Sequence, residues 1–204
     1  MKNIFLHGMG QNASSWNDTI AFLSESIDID VIELSDYFTE GNCSYKNIYD
    51  IFCVYCNCLS EPLNLCGLSL GAVLALNYAV EFPMKVNSLI LIAPQYKMPK
   101  ITLKMQNIIF KFTPEKSFEN IGFKKNDFIA LTNSMADIDL SGKLDKISCP
   151  VKIICGESDN FNKNAAIKLN ERLKNSSFEV IRNSGHEVNI DNPQKLAEII
   201  SKVL

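Results

Sequence analysis

Short apolar runs alternate with longer amphipathic stretches along most of the chain. The runs lie at residues 3–6, 63–66, 88–93, 151–155 and 178–182, and a further predicted strand at 27–34 mixes isoleucine and valine with aspartate at alternate positions. Short apolar runs of this kind are typical of parallel strands that are covered on both faces. Helical patterns fill the intervals, at residues 15–24, 45–60, 70–81, 164–175 and 193–203. The order predicts an α/β fold, in which helices flank a parallel sheet of about six strands joined by right-handed crossovers.

One segment, residues 96–147, interrupts this alternation. It contains no strand-like core run, and about fifty residues are too many for a bare loop. A first amphipathic stretch ends at Pro114, and Asn126 is placed to cap a second. Their apolar positions are Met105, Ile108, Ile109 and Phe112, then Phe128, Leu131, Thr132 and Met135. We therefore expect one domain over residues 1–204, with a short helical lid inserted at about 96–147 and lying over the strand ends.

The lid segment is rich in large apolar side chains, and two interpretations of them stay open. They either form an apolar inner face that receives a hydrophobic group, or they hold the lid to the body of the domain. The residues concerned are Met98, Met105, Phe110, Phe112, Phe118, Phe123, Phe128 and Met135.

Composition places the chain among globular proteins. Hydrophobic residues make up 47% of its 204 residues and charged residues 21%, which argues against a disordered or fibrous chain. Its apolar runs are far shorter than a membrane span, and the start of the sequence does not resemble a signal peptide. A net charge of −3 argues against a nucleic-acid backbone as ligand. We therefore expect a cytoplasmic protein with neither a membrane nor a nucleic acid as partner, while its oligomeric state stays open.

The seven cysteines are predicted to be reduced thiols. Cys53, Cys56 and Cys58 lie close enough in sequence to suggest a metal site, but no second pair has zinc-site spacing. The favoured interpretation is that small thiols pack along a buried helix, with no metal bound. All but two of the 20 basic residues are lysine, so most of the chain lacks the arginine that strongly anionic substrates usually require.

The strongest chemical motif is Gly67-Leu68-Ser69-Leu70-Gly71, which follows a predicted strand and opens a predicted helix. A nucleophilic serine at such a turn must tolerate a strained backbone, and small neighbours let the strand and helix approach closely. The helix N-terminus also favours developing negative charge. Ser69 is therefore the candidate nucleophile.

A serine hydroxyl needs a base, and the base needs a carboxylate that fixes its tautomer. His7 and His186 are the two histidines, and His186 follows the last predicted strand. Asp159, which follows the strand at 151–155, is the candidate carboxylate, with Glu157 as its competitor. The chain order Ser69, Asp159, His186 is one of the known orders of a catalytic triad.

His7-Gly8-Met9-Gly10 follows the first predicted strand. Two glycines there allow the backbone to turn and point an N–H at a tetrahedral intermediate. The N–H groups of Met9 and Leu70 are the candidate oxyanion donors, and His7 is expected to hold the loop. The sequence lacks the longer glycine patterns of phosphate-binding loops at this position.

Met9, Ser69, Asp159 and His186 each follow a different predicted strand. In a parallel sheet these strand ends share one edge, where ligands bind in open α/β folds. The four residues are therefore expected to converge on one site.

Four motifs together carry a family resemblance: His7-Gly8-Met9-Gly10 followed by Trp16, the turn Gly67–Gly71, Gly156-Glu157-Ser158-Asp159, and Gly185-His186 followed by Asn192-Pro193. With them the chain resembles the α/β-hydrolase fold family, in particular small bacterial hydrolases of the single-domain carboxylesterase kind. The resemblance covers nearly the whole chain and is weakest at the lid. The family usually opens with an antiparallel hairpin, which is missing here, so a reduced sheet is expected. The resemblance implies Ser69 as nucleophile, His186 as general base and Asp159 as its orienter, without metal or organic cofactor.

The function predicted on this basis is a serine hydrolase that forms an acyl-enzyme on carboxylic esters or thioesters of a small or apolar acyl group. Two alternatives stay open. One is a triad-containing lyase like those of menaquinone biosynthesis, although these act on multiply charged substrates and arginine is scarce here. The other is a non-catalytic binding protein of the same fold, against which the complete triad argues. Dehalogenases and epoxide hydrolases of this fold use an aspartate nucleophile, which Ser69 disfavours.

Overall fold

A computed structural model of the chain describes residues 1–38, 43–118 and 124–204. Within these ranges, six strands form one parallel sheet in the order β2-β1-β3-β4-β5-β6, which confirms the predicted fold class. The strands are β1 Lys2–Leu6, β2 Ile29–Ile32, β3 Leu63–Leu68, β4 Val86–Ile92, β5 Val151–Gly156 and β6 Ser176–Ile181.

Eight α-helices are present in the described residues, and two of them, α4 and α5, occupy the inserted segment. The helices are α1 Asn17–Ala21, α2 Tyr45–Cys58, α3 Leu70–Glu81, α4 Lys100–Phe112, α5 Lys125–Met135, α6 Asn160–Arg172, α7 Val188–Asp191 and α8 Pro193–Ile200. Helix α7 is an addition to the prediction. The helix predicted at 15–24 is instead a 3₁₀ turn, Ala13–Trp16, followed by the short α1.

Caps explain where the predicted boundaries were wrong and where they were right. Helix α6 begins four residues before the predicted start because the Asp159 side chain accepts a hydrogen bond from the Asn162 N–H and caps it there. Helix α5 is capped at Lys124, whose N–H donates to the Asp127 carboxylate, so the expected cap at Asn126 was wrong. Asn192 caps α8 by accepting from the Lys195 N–H.

Alternate residues of the central strands point to opposite faces of the sheet, and each face has its own core. In β1, Ile4 and Leu6 join the core under α2, α3 and α6, whereas Phe5 joins the core under α1 and α8. In β4, Leu89 and Ile90 divide in the same way. Burial on both faces explains why these strands are apolar runs rather than alternating ones.

The inserted segment packs differently from the prediction. Helix α5 buries its predicted apolar stripe, including Phe128 and Leu131. Each of the four apolar residues of the stripe predicted on helix α4 is 55–85% exposed. Helix α4 contacts α5 through other residues: the Asn107 amide donates to Asn133 at 2.6 Å, and the Phe110 and Phe128 rings meet edge to face at 5.6 Å. Phe123 lies outside the described residues.

All seven cysteines are free thiols. Cys56 is buried and Cys53 is half-buried on α2, but Cys58 is exposed, so the expected packing of this trio along a buried helix was wrong for Cys58. Within the part of the chain that the structure describes, no three His, Cys, Asp or Glu residues are grouped as metal ligands would be.

Candidate active site

Ser69 lies at a sharp turn between β3 and α3, with a strained backbone at φ 52° and ψ −108°. Its N–H donates to the Ile92 carbonyl oxygen at 2.9 Å, which ties the turn to β4. The chain segments pack so closely that a Cβ on Gly71 would lie 2.3 Å from the Leu6 carbonyl oxygen, and one on Gly67 2.3 Å from the Gly71 backbone. The glycines of the motif therefore make room for the turn that presents Ser69.

Replacing Gly71 with alanine is expected to lower the free energy of unfolding by about 3 kcal/mol, although alanine is the better helix former, because the new methyl group would overlap a strand carbonyl. Gly142→Ala is the matched control, since no atom lies within 4 Å of a Cβ there. Urea denaturation measures both variants. A loss below about 1 kcal/mol for Gly71→Ala would show that strand and helix are not held as closely as the structure indicates.

Asp159 and His186 form the one direct pair of the expected triad. The His186 Nδ1 lies 2.8 Å from the Asp159 Oδ2, and the Asp159 side chain is buried while that of His186 is 42% exposed. Burial alone would raise the pKa of the Asp159 carboxyl, but hydrogen bonds from His186 and Asn162 outweigh it and hold the pKa below its ordinary value. Glu157, the competing carboxylate, is exposed and accepts from the Asn183 N–H instead.

Asn162 is a site residue that the sequence reasoning missed. Its Nδ2 lies 3.0 Å from each carboxylate oxygen of Asp159 and also 3.0 Å from the His186 Nδ1. Its Oδ1 accepts from the Gln95 Nε2 at 2.8 Å, so Gln95 fixes the amide with its NH₂ group towards Asp159. The sequence gives no signal for the Asn162 side chain, because the predicted helix begins at 164 and the cap at Asp159 is seen only in the structure.

Ser69 and His186 face one cavity of about 520 Å³. Within the described residues the Ser69 hydroxyl forms no hydrogen bond, so the structure contains the Asp159–His186 contact of the triad without the Ser69–His186 contact. Such bonds are often long in unliganded sites and shorten when substrate binds.

The cavity wall is mainly apolar. Its polar side chains are those of Ser69, Gln95, Thr132, Asp159, Asn162 and His186. None of the described residues that line it is lysine or arginine. Leu103, Met105 and Ile109 from α4 and Met135 from α5 contribute to the wall, so the inserted segment encloses part of the cavity.

Met9 and Leu70, the candidate oxyanion donors, both line the cavity. Neither backbone N–H donates a hydrogen bond within the described residues, so both are available to an oxygen bound near Ser69. Gly10 follows Met9 with φ 90°, a conformation that favours glycine.

Gln11 joins the loop after β1 to the loop that carries His186. Its Oε1 accepts from the Gly8 N–H and from the Asn189 Nδ2, each at 3.3 Å. Its Nε2 donates to the Glu187 carboxylate at 3.1 Å and to the Asn189 Oδ1 at 3.2 Å. Gln11 and Asn189 are both buried. The candidate oxyanion loop and the histidine loop are therefore bonded to each other directly.

His7 is fully buried and holds the same loop from the other side. Its Nε2 accepts from the Leu34 N–H at 3.0 Å, so the ring hydrogen lies on Nδ1, which donates to the Gly8 carbonyl at 2.8 Å. Burial lowers the pKa of His7 below its ordinary value of 6.5, although Glu33 at 3.2 Å opposes the shift. The folded protein therefore keeps this ring neutral.

The neutral His7 predicts a loss of stability in mildly acidic solution. Below pH 6.5 the unfolded chain binds a proton at this residue that the folded chain does not, so the free energy of unfolding falls as pH falls through that value. The carboxyls of Glu33 and Asp159, whose pKa values are lowered, contribute losses only at lower pH.

Urea denaturation of the His186→Gln variant tests this prediction, because His7 is then the one histidine that remains in the chain. We expect its free energy of unfolding to decline as the pH falls through 6.5. This decline should disappear in His7→Gln/His186→Gln. An equal slope in both variants would contradict the assignment to His7.

Comparison with known proteins agrees with this architecture. No family model matches the chain. The chain is 24% identical to mouse monoacylglycerol lipase ABHD6, over 97% of this chain and 73% of that protein. It is 23% identical to a protein of Bacillus subtilis named putative 2-succinyl-6-hydroxy-2,4-cyclohexadiene-1-carboxylate synthase, over 98% and 89%. MGS-M2, an α/β-hydrolase from a deep-sea metagenome library, superposes with a TM-score of 0.80 at 18% identity, over 98% of this chain and 87% of that one.

The sheet, the strand-to-helix turn at Ser69 and this superposition define the class: the chain has the α/β-hydrolase fold. This confirms the family resemblance and the fold that the sequence motifs predicted.

Proposed function

We propose that the chain is a serine hydrolase of carboxylic esters or thioesters that acts through an acyl-enzyme. The observation that carries the proposal is the 2.8 Å contact between His186 and a buried Asp159 on the wall of the cavity that also contains Ser69. The esterase and lipase names among its relatives support an ester-bond substrate. The proposal includes no cofactor and no metal, and it describes a cytoplasmic protein that does not bind nucleic acid.

In this mechanism the Ser69 hydroxyl attacks the acyl carbon while the His186 Nε2 takes its proton. Asp159 keeps the other ring hydrogen on Nδ1 and stabilises the imidazolium. The N–H groups of Met9 and Leu70 bind the oxyanion of the tetrahedral intermediate. His186 then protonates the leaving alcohol or thiol, and water activated by the same ring releases the acid and restores Ser69.

The chemistry of the cavity supports a neutral, apolar acyl group. Side chains such as Val73, Met98, Leu103 and Met135 would contact the acyl chain, and the described wall contains no lysine or arginine to bind an anion. This wall does not suit the multiply charged substrate of a menaquinone-type lyase. The strained backbone of Ser69 and the paired Asp159 and His186 argue against a protein that only binds ligand.

A fluorophosphonate probe tests the nucleophile. It is expected to label the wild type and Ser26→Ala, an exposed serine, and not to label Ser69→Ala. Failure to label the wild type would contradict a serine hydrolase and favour a binding protein.

A panel of p-nitrophenyl esters of increasing chain length tests the substrate class. We expect turnover, with a preference for acyl chains longer than acetate. Probe labelling without turnover of any ester would contradict an esterase and favour the lyase.

Asn162 is expected to be a positioning residue in this reaction. Because its amide holds the carboxylate that orients His186, Asn162→Ala should lower kcat for p-nitrophenyl butyrate by about tenfold, the usual effect of losing a hydrogen bond to a charged group, and leave KM nearly unchanged. Asn160→Ala, at an exposed neighbour, is the control. A change in KM alone would instead indicate that Asn162 contacts substrate.

A further inference from the structure

The outer face of α4 carries a continuous apolar stripe that nothing in the described structure covers. Met105, Ile108, Ile109 and Phe112 recur at the spacing that places them on one side of a helix. Their exposed fractions are 60%, 55%, 62% and 85%. We call these four residues the outer stripe. A soluble protein seldom leaves so many neighbouring large apolar side chains in water, and such a patch marks an interaction surface.

The outer stripe is continuous with the mouth of the cavity. Met105 and Ile109 line the cavity wall as well as being exposed, so the stripe extends from solvent to the space that contains Ser69. Ile108 and Phe112 belong to the stripe but do not line the cavity. Substitution of Ile108 and Phe112 therefore changes the exposed surface of the stripe and leaves the cavity wall unchanged.

Basic residues accompany the stripe. Lys104 and Lys111 are exposed and lie two turns apart on one flank of α4, four residues before and three residues after Ile108. Residues 100–118 contain four lysines and a single acidic residue, Glu115, whereas the whole chain has a net charge of −3. Lys100 is paired with Asp137 at 2.6 Å, so the basic character of this surface rests on Lys104, Lys111 and Lys116.

We infer that α4 lies on the surface of an anionic lipid membrane, with the outer stripe in the boundary between headgroups and acyl chains and the lysines among the headgroups. An apolar helical face with lysines beside it is the arrangement that binds in this way, and anionic lipids attract the lysines. A second copy of the chain suits the surface less well, because pairing two stripes would bring two sets of lysines together. No helix in the described residues is long and apolar enough to cross a membrane, so the contact is peripheral. The inference departs from the sequence-based expectation that no membrane is a partner.

The inference deepens the proposed function, because a membrane-bound α4 would open the cavity towards lipid and admit an apolar ester directly. Membrane binding itself does not require catalysis. The Ser69→Ala variant should bind vesicles as the wild type does, so the failure of either proposal can be recognised separately.

Co-sedimentation with vesicles tests the inference. The wild type should bind vesicles of phosphatidylcholine containing roughly a third phosphatidylglycerol, and bind pure phosphatidylcholine at least about tenfold less. Ile108→Ser/Phe112→Ser should lose about tenfold in partitioning, and Lys104→Glu/Lys111→Glu should lose a similar amount. Matched controls are Val54→Ser/Met84→Ser, two apolar residues that are 66% and 88% exposed elsewhere, and Lys168→Glu/Lys174→Glu. Both controls should bind as the wild type does.

Three results would overturn the inference. The first is that the wild type binds neither kind of vesicle, or that the α4 variants bind as well as the wild type. The second is that size-exclusion chromatography shows a dimer that Ile108→Ser/Phe112→Ser dissociates, without vesicle binding, which would make the stripe an interface between copies. The third is that the same variant loses turnover of soluble p-nitrophenyl butyrate, which would place these side chains in substrate binding.

Discussion

Ser69→Ala is expected to reduce kcat for p-nitrophenyl butyrate by about 10⁶-fold, because the acyl-enzyme can no longer form. The fold should persist, since alanine keeps the Cβ and the strained backbone of the turn. Ser69→Gly should be equally inactive but more stable by about 1 kcal/mol, because glycine adopts a positive φ without strain.

Initial-rate kinetics and urea denaturation of the wild type, the two variants and Ser26→Ala measure both effects. A loss of activity below about 100-fold in Ser69→Ala would show that another group attacks the substrate. Equal stability of Ser69→Gly and the wild type would show that the turn stores little strain.

Asp159→Asn should reduce kcat by about 10⁴-fold, because an amide at this position no longer selects the His186 tautomer with its hydrogen on Nδ1. The substitution also separates two roles of this side chain, which orients His186 and caps α6. Asparagine caps a helix as well as aspartate does, whereas Asp159→Ala should lose about 1 kcal/mol of stability in addition.

Glu157→Gln is the matched control, since Glu157 is an exposed carboxylate two residues away that does not contact His186. It should keep nearly full turnover. A larger loss of kcat in Glu157→Gln than in Asp159→Asn would transfer the orienting role to Glu157. Equal stability of Asp159→Ala and Asp159→Asn would show that the cap contributes little.

Much of the fold could be predicted because burial leaves a direct mark on the sequence. Strands such as β4 and β5 lie in the middle of the sheet, so both of their faces must be apolar, and their runs stand out. Helix α3 was predicted with its correct bounds, since it begins at the serine turn and every residue from Leu70 to Val80 is buried. The edge strand β2 is only partly buried, and its predicted range was too long.

The orientation of α4 could not be predicted from its own sequence. Its periodicity correctly indicates an apolar stripe, but periodicity does not say what the stripe faces. The orientation of α4 is fixed by contacts of Asn107 and Phe110 with α5. Both residues lie outside the predicted stripe, so the periodicity gives no sign of these contacts. Both interpretations left open for these side chains turn them inward, which was wrong for Ile108 and Phe112, while Met105 and Ile109 do line the cavity.

The candidate site also contains residues that the sequence could predict and residues that it could not. Its reactive residues could be proposed because each stands at the end of a strand in a motif of recognisable composition. The residues that hold these side chains in place could not be proposed. Gln95 and Asn162 are 67 positions apart in the sequence, and Gln11 and Asn189 are 178 positions apart, so each pair comes into contact only in the folded chain. Single asparagines and glutamines carry no pattern that distinguishes such contacts from ordinary surface positions.

The bridge made by Gln11 limits which parts of the candidate site can change. Because one buried side chain bonds both loops beside Ser69, the length of either loop cannot change without breaking its bonds to the other. In the described residues, Gln11 makes none of its hydrogen bonds to the segment containing α4 and α5, which forms part of the cavity wall. Substitutions in that segment can therefore reshape the cavity without breaking the bonds that join the two loops beside Ser69.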